Sequence, residues 1–204
     1  MLHTISYEVS VFAIPRSTIE DFVEHIRDHF PCLECREHFK KMLSNYPLSN
    51  STTGSMFREV YNYHGRVNGR ILKKNLSFED AESMFSTQSE DIYHYYPINR
   101  IGNGLWWILH SLAVKNPHLF MKILNIMRTR IPYNEISVPL SVHNFKNRND
   151  YPRDVWELHA EINLLSGSEN LPFETVSTFF KNDNGCSHGC TSNKKSQDRY
   201  VSNR

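Results

Sequence analysis

The feature that most constrains the fold is a helical pattern that recurs at a fixed offset of 95 positions. A stripe of apolar residues at helical spacing surrounds His64, and a similar stripe surrounds His159. The matching positions are His64/His159, Val67/Ile162, Asn68/Asn163, Phe78/Phe173, Glu79/Glu174 and Phe85/Phe180. A run of matches at one offset predicts an internal duplication, in which one helical unit is followed by another.

Amphipathic stretches outside these stripes predict further helices. One stretch follows a capping-box spacing at residues 17–20 and carries an i, i+3, i+4, i+7 apolar stripe over residues 19–30. Another begins near Cys32 and ends near Asn45–Pro47, and a shorter one covers residues 78–85. The chain therefore reads as all-α.

A Cys-x-x-Cys pair, Cys32 and Cys35, lies at the start of one predicted helix. Unpaired backbone N–H groups and the helix dipole favour a thiolate there, and such pairs can have a thiol pKa lowered to roughly 3.5–7.5. The spacing alone leaves three interpretations open: redox chemistry, half of a zinc site, or inert thiols.

Composition excludes several classes of function. The chain has 204 residues with 39% apolar content, enough for one large or two small domains. A net charge of +1 gives no basic field for nucleic acid, and no run approaches a membrane span or reads as a secretory signal.

Pro97 and the glycines at 102–104 mark a boundary, and the polar tail from Lys181 onward predicts a mobile arm.

Three motifs together resemble a known family. His3-Thr4 on the first predicted helix, Pro31-Cys32-x-x-Cys35 on the third and His64-x-x-Val67-Asn68 on the fourth resemble the FAD-linked sulfhydryl oxidases of the Erv/ALR family. The resemblance covers about residues 1–90 and implies a four-helix bundle plus a short fifth helix that holds FAD. Small enzymes of this kind occur in large DNA viruses. The chain looks most like a divergent viral member, which implies the host cytoplasm or the virion.

The resemblance also implies roles for individual residues. Cys35 would lie beside the isoalloxazine ring, and Cys32 would exchange with substrate thiols. This order suits the sequence, because Cys32 lies nearer the helix start, where we expect greater exposure, and Cys35 lies about one turn further in. The implied flavin-contacting residues are His3, Phe30, His38, Tyr61, His64, Val67, Asn68, Lys73 and Phe85.

The chain departs from the family pattern at several positions. The tryptophan that precedes the Leu-His pair in the family would fall before Met1. Gly65 replaces the usual Asn, Leu72 replaces the usual Gly before Lys73, and Phe85 replaces the usual Trp. These differences either weaken FAD binding or indicate a truncated start.

The second half has Tyr133 and Ile136 at the cysteine positions, so it cannot perform thiol exchange. We interpret it as a degenerate copy that takes the place of a dimer partner, as in quiescin-type oxidases, and a further homodimer remains open. The predicted units are an oxidase domain at 1–97, a degenerate domain at 104–181 and a tail at 182–204. By resemblance, Cys186 and Cys190 would shuttle electrons from protein dithiols to Cys32 and Cys35, then to FAD and O2, with release of H2O2.

Two other functions remain open from the sequence. A structural zinc protein would use Cys32, Cys35, Cys186 and Cys190, with His188 as a further ligand. A catalytically inactive interaction module would account for the degenerate second half. The remaining histidines, His25, His29, His94, His118 and His143, lack metal-ligand spacing and are predicted to lie on the surface.

Overall fold

The computed structural model describes residues 1–11, 13–30, 32–70, 72–87, 98–130, 134–165 and 170–182. Within these residues the chain forms ten α-helices and no β-strand, so the all-α prediction is confirmed. None of the described helices combines the length and apolar character needed to span a bilayer.

Five helices form a first bundle. They are α1 (Leu2–Ser10), α2 (Arg16–His29), α3 (Leu33–Asn45), α4 (Met56–Arg70) and α5 (Phe78–Thr87). Helix α1 packs against α2, α4 and α5, while α3 docks on α2. The apolar stripe of α2 explains its position, because Ile19, Phe22 and Val23 are buried.

The start of α2 differs from the prediction. The capping-box spacing at residues 17–20 places Ser17 before the helix, but α2 begins at Arg16 after Pro15 and has no side-chain cap. Glu20 instead accepts a hydrogen bond from Arg16 Nε at 2.7 Å, one turn apart along the helix. Pro15 determines the start of α2, since its fixed φ suits the residue just before a helix.

Five further helices form a second bundle. They are α6 (Ile98–Lys115), α7 (Pro117–Arg130), α8 (Asn134–Val142), α9 (Tyr151–Leu165) and α10 (Phe173–Lys181). Helix α6 packs against α7, α9 and α10, and α8 docks on α7. The helix pairs that pack in the first bundle therefore recur in the second. The glycines at 102–104, which the sequence placed at a boundary, lie inside α6.

Individual contacts also recur at the offset of 95 positions. The Tyr61 hydroxyl donates to the Leu76 carbonyl at 2.6 Å, and Trp156 Nε1 donates to the Leu171 carbonyl at 2.8 Å. Other repeated contacts are two asparagine pairs, two cation–π pairs and two edge-on ring pairs. They are Asn68–Asn75 at 2.8 Å and Asn163–Asn170 at 2.9 Å, Arg58–Phe78 at 3.5 Å and Arg153–Phe173 at 4.2 Å, and Tyr61–Phe78 at 5.3 Å and Trp156–Phe173 at 6.0 Å.

The two bundles share one hydrophobic core, in which α2 packs against α6 and α7. Arg130 Nη2 pairs with the buried Glu8 carboxylate at 3.1 Å. His25 is 6% exposed and lies 3.0 Å from Ser111 Oγ, with one of the two donating according to the histidine tautomer. The prediction of a surface position for His25 is therefore wrong, because α6 covers the face of α2 that carries it.

Candidate functional site

The cysteine pair occupies the first turn of α3, as predicted. Cys32 is the N-cap residue, and its Sγ accepts a hydrogen bond from the Cys35 backbone N–H at 3.2 Å. The Cys32 carbonyl accepts the Arg36 N–H at 2.9 Å, which closes the turn. A backbone N–H and the positive end of the helix dipole both favour negative charge on the Cys32 sulfur.

The exposure of the two cysteines is the reverse of the expectation. Cys32 is only 9% exposed, while Cys35 is partly exposed. The capping geometry explains the difference, because it turns the Cys32 side chain back over the helix start. Leu33, between them, is 40% exposed and shows that the first turn of α3 reaches the surface.

The face of α3 that carries Cys35 is open compared with its counterpart in the second bundle. Placing Tyr133 and Ile136 at the cysteine positions aligns Cys35 with Ile136 and Phe39 with Leu140. Ile136 and Leu140 are both 0% exposed, whereas Cys35 and Phe39 are only partly buried. Helices α8 and α9 pack together, but among the described residues α3 and α4 do not form a comparably packed pair. The face of α3 that carries Cys35 and Phe39 is therefore more exposed than the aligned face of α8.

A cluster of rings lies where α1, α4 and α5 meet. His3 Nε2 lies 2.9 Å from His64 Nδ1, and the ring of Phe85 stacks on His3 with centroids 5.2 Å apart. Phe57 contacts His3 and Phe85 at centroid distances of 5.9 and 5.7 Å. Three of the predicted flavin-contacting residues, His3, His64 and Phe85, are thus in direct contact.

Burial makes these histidines neutral. It lowers the pKa of His3 to about 3, and the adjacent His64 adds to the effect. The pKa of His64 is also lowered, mainly by burial and then by the charge of Lys73. Nδ1 of His3 is buried and has no hydrogen-bond partner among the described residues. Trp106 Nε1 and His159 Nε2 in the second bundle also lack a partner among the described residues, and such buried nitrogens are costly unless a group outside these residues satisfies them.

The second bundle holds an equivalent cluster. His110 Nε2 lies 3.4 Å from His159 Nδ1, and Phe180 stacks on His110 with an interplanar angle of 16°. Trp106 adds a ring that stacks on His159 at 5.3 Å. Burial lowers the pKa of His110 to about 3 and that of His159 to about 4.

The other predicted contacts of the flavin extend from this cluster along α4. Tyr61 packs edge-on against Phe78 at 5.3 Å, one turn before His64. The Asn68 carbonyl accepts the Lys73 backbone N–H at 2.8 Å, which holds the chain just after α4. Val67 lies on the same turn as Asn68 and is 39% exposed. These residues form a line from the ring cluster to the end of α4.

Two predicted contacts lie near the cysteines instead. The Phe30 carbonyl, at the end of α2, accepts the Arg36 Nε–H at 2.9 Å, so Arg36 ties α2 to α3. His38 is exposed, and its Nδ1 lies 2.8 Å from the Glu34 carbonyl. Cys186 and Cys190, the predicted shuttle pair, lie outside the described residues.

Three residues of the site were not predicted as contacts: Phe39, Phe57 and Asn75. Phe57 lies on the same predicted helical face as His64, so its place in the ring cluster follows from helical spacing. Asn75 could have been found from the repeat, because Asn170 lies at the same offset that relates Asn68 to Asn163.

Among the residues that the structure describes, no group of three or more His, Cys, Asp or Glu side chains is arranged to bind a metal ion. The zinc alternative needs Cys186 and Cys190 and stays a prediction.

Neither the curated proteins nor the solved structures compared with the chain give a match. Residues 1–88, which include all five helices of the first bundle, match the model of the Erv1 / Alr family. This family is known for FAD-linked sulfhydryl oxidases, and the match supports the resemblance suggested by the motifs of the first bundle.

Proposed function

We propose that the chain is an FAD-linked sulfhydryl oxidase that forms disulfides in protein substrates and reduces O2 to H2O2. The observation that carries the proposal is the open face of α3, where Cys35 and Phe39 are partly exposed. The aligned residues of the second bundle, Ile136 and Leu140, are fully buried. A redox pair on a partly exposed helix face is accessible to a cofactor, which a dithiol oxidase needs.

The residues present suit a flavin. Those that would hold it are His3, Phe30, His38, Tyr61, His64, Val67, Asn68, Lys73 and Phe85. Support comes from the neutral ring cluster around His3, whose Nδ1 has no partner among the described residues. Lys73, which follows the end of α4, would supply a cation for a cofactor phosphate. When bound, the flavin takes two electrons from a dithiol and delivers them to O2.

The protein's own chemistry is thiol–disulfide exchange. A substrate thiolate attacks the Cys32 sulfur of a Cys32–Cys35 disulfide, which forms a mixed disulfide and releases Cys35 as a thiolate. A second substrate thiolate then attacks the mixed disulfide, so the substrate becomes oxidised and Cys32 leaves as a thiolate. The Cys35 N–H, 3.2 Å from Cys32 Sγ, stabilises the charge that develops on this leaving sulfur. Two electrons and two protons per cycle end in H2O2.

Because Cys32 is 9% exposed, exchange requires the first turn of α3 to open. The first turn of α3 lies at the surface, where Leu33 is 40% exposed, and this position supports such an opening. Cys35, on the open face, is the sulfur that we assign to the cofactor side.

We further propose that residues 104–181 are a degenerate copy of an oxidase domain at residues 1–97, fused as an intramolecular partner. The repeated helix pairs and the contacts that recur at the offset of 95 positions support it. The tail at 182–204 would carry Cys186 and Cys190 as a shuttle pair. The viral type, and a place in the host cytoplasm or virion, stay predictions.

The deciding experiment combines a spectrum with an oxygen electrode. The purified chain should be yellow, show flavin absorbance and consume O2 in the presence of dithiothreitol. One H2O2 should form for each O2 consumed. Bound zinc without flavin would support the structural zinc protein instead. A colourless chain without zinc would support the inactive interaction module.

A further inference from the structure

The end of α4 and the turn after it, in the first bundle, are strongly basic, whereas the aligned stretch of the second bundle is not. Residues 60–78 contain four Lys or Arg residues and no Asp or Glu. The stretch that aligns with them at the offset of 95 positions, 155–173, contains three Glu and no Lys or Arg. The rest of the helix pattern matches, so the charge difference is not a consequence of the fold.

An exposed leucine projects from the middle of this basic stretch. Leu72 is 93% exposed and has a φ of 57°, in the left-handed region. This conformation is strained for a side chain with a Cβ and suits glycine. The sequence of the second half places Gly167 at the aligned position. The first bundle therefore accepts both backbone strain and a solvated apolar side chain at a position where glycine would avoid both.

Exposed basic residues flank Leu72 in the sequence. Arg70 and Lys74 are exposed, and neither forms an ion pair with another described residue. Arg66 lies one turn earlier on α4, and its guanidinium lies 3.8 Å from the centre of the Tyr46 ring. Tyr46 is 47% exposed, and its carbonyl accepts the Tyr63 hydroxyl, which fixes the end of α3 to α4.

We propose that this surface, defined as Tyr46, Arg66, Arg70, Leu72 and Lys74, docks an acidic segment of the protein substrate that also carries an apolar side chain. Complementary charge argues for an acidic partner, and because the chain's net charge is only +1, the attraction comes from local basic surfaces and not from the charge of the whole chain. Tyr and Arg are enriched among the residues that contribute most of the binding energy at protein interfaces.

The position of the surface suits a substrate. Tyr46 follows the end of α3 and Cys32 caps its start, so the helix of 13 residues separates them by about 20 Å. A standard protein interface spans a distance of this order. The assignment of the partner as a substrate rests on the proposed oxidase function, whereas the binding of an acidic segment does not.

The test measures binding first and turnover second. The full chain is titrated into a fluorescein-labelled peptide of alternating Glu and Leu, with a Lys–Leu peptide as its matched opposite. We expect binding of the Glu–Leu peptide alone, weakened by raising the salt to about 0.3 M. Arg70→Glu/Lys74→Glu should lower the affinity at least about 10-fold. Leu72→Gly should lower it about 5-fold and leave the melting temperature unchanged or higher, since glycine relieves the strain.

Matched controls exist in the second bundle. Lys146→Glu/Arg148→Glu makes the same change of charge at two exposed residues, and Leu171→Gly removes a leucine that is 54% exposed. Both should change the affinity by less than about 2-fold, as expected for surface changes outside the interface. The proposal would be overturned if the control variants lowered the affinity as much as the variants of the basic surface, or if the Lys–Leu peptide bound as tightly as the Glu–Leu peptide. It would also be overturned by Leu72-dependent binding to vesicles of phosphatidylcholine and phosphatidylserine.

Turnover then tests the substrate assignment. In the Arg70→Glu/Lys74→Glu variant, the KM for a reduced acidic protein should rise about 10-fold, while dithiothreitol oxidation and flavin content per chain stay unchanged. Peptide binding without this change in KM, or loss of flavin from the variant, would overturn the substrate assignment. A chain that binds the peptide but shows no flavin and no O2 uptake would refute the oxidase function and leave the docking of acidic segments intact.

Discussion

Nε2 of His3 lies 2.9 Å from Nδ1 of His64 and joins the start of α1 to the middle of α4. Burial lowers the pKa of both rings, so at neutral pH one neutral imidazole donates its N–H to the other. His110 and His159 bring the same two atom types to 3.4 Å in the second bundle. The repeated histidine pair is thus a neutral, buried contact between the first and fourth helices of each bundle.

The buried histidines predict a loss of stability in acid. The pKa of His110 is about 3 in the folded chain because of burial, below its usual value near 6.5 in the unfolded chain. Between these values the unfolded chain binds the extra proton, so the stability from this residue is complete above about pH 7 and falls as the pH drops below 6.5. At pH 5 the loss is about 2 kcal/mol for this residue.

Urea unfolding at pH 7.5 and pH 5 measures this loss. His110→Gln should narrow the gap in unfolding free energy between the two pH values by about 2 kcal/mol. His118→Gln provides the control, because His118 is exposed at the start of α7 and should leave the gap unchanged. An unchanged gap in His110→Gln would mean that His110 titrates normally in the folded chain.

Replacing Cys35 by serine should abolish oxidase activity without unfolding the chain. Serine is nearly isosteric, and the Cys35 backbone N–H can still donate to Cys32 Sγ. We expect dithiothreitol-dependent O2 uptake to fall at least about 100-fold, because no internal disulfide can form. The helical circular dichroism and the flavin content should be retained. Activity above this level would place the redox chemistry on other cysteines.

The tail cysteines are expected to matter only for large substrates. Cys186→Ser/Cys190→Ser should slow oxidation of a reduced protein about 10-fold, because a folded substrate reaches the nearly buried Cys32 less easily than a cysteine pair of the same chain would. Dithiothreitol oxidation should not change, since a small dithiol needs no shuttle. Equal rates for both substrates, relative to the unchanged chain, would remove the shuttle from the mechanism.

Helical spacing made most of the fold predictable. The stripes on α2 and α4, and the helix start at Cys32, follow from period alone. Helical periodicity does not show which neighbouring helix covers a given helix face. The sequence therefore predicts a surface position for His25, whereas Ser111 and α6 bury it. It also cannot locate a helix start that proline determines, as at Arg16.

The site was predictable where one helix presents it, and less so where several meet. His64 and Asn68 follow from their spacing on α4, whereas the contribution of Phe57 depends on how α1 and α5 pack around it. The exposure of the cysteines depends on side-chain capping, which turns Cys32 inward. Sequence spacing does not encode that rotation.

The open face of α3 predicts that two aligned residues respond differently to truncation. Leu140 is 0% exposed in α8, so Leu140→Ala should cost about 2–5 kcal/mol of unfolding free energy. Phe39 occupies the matching place in α3 but is only partly buried. Phe39→Ala should therefore cost less in the flavin-free chain, although it removes a larger side chain.

Adding flavin should change this order. If FAD fills the space beside Cys35 and Phe39, it stabilises the unchanged chain, and Phe39→Ala loses part of that stabilisation because the cofactor loses an apolar contact. Leu140→Ala should keep the full increment, since its cavity lies in the other bundle. Urea titrations of both variants with and without FAD give the four free energies needed. If Phe39→Ala is as destabilised as Leu140→Ala before FAD is added, this face of α3 is closed. The oxidase proposal would then lack the space that it requires for the cofactor.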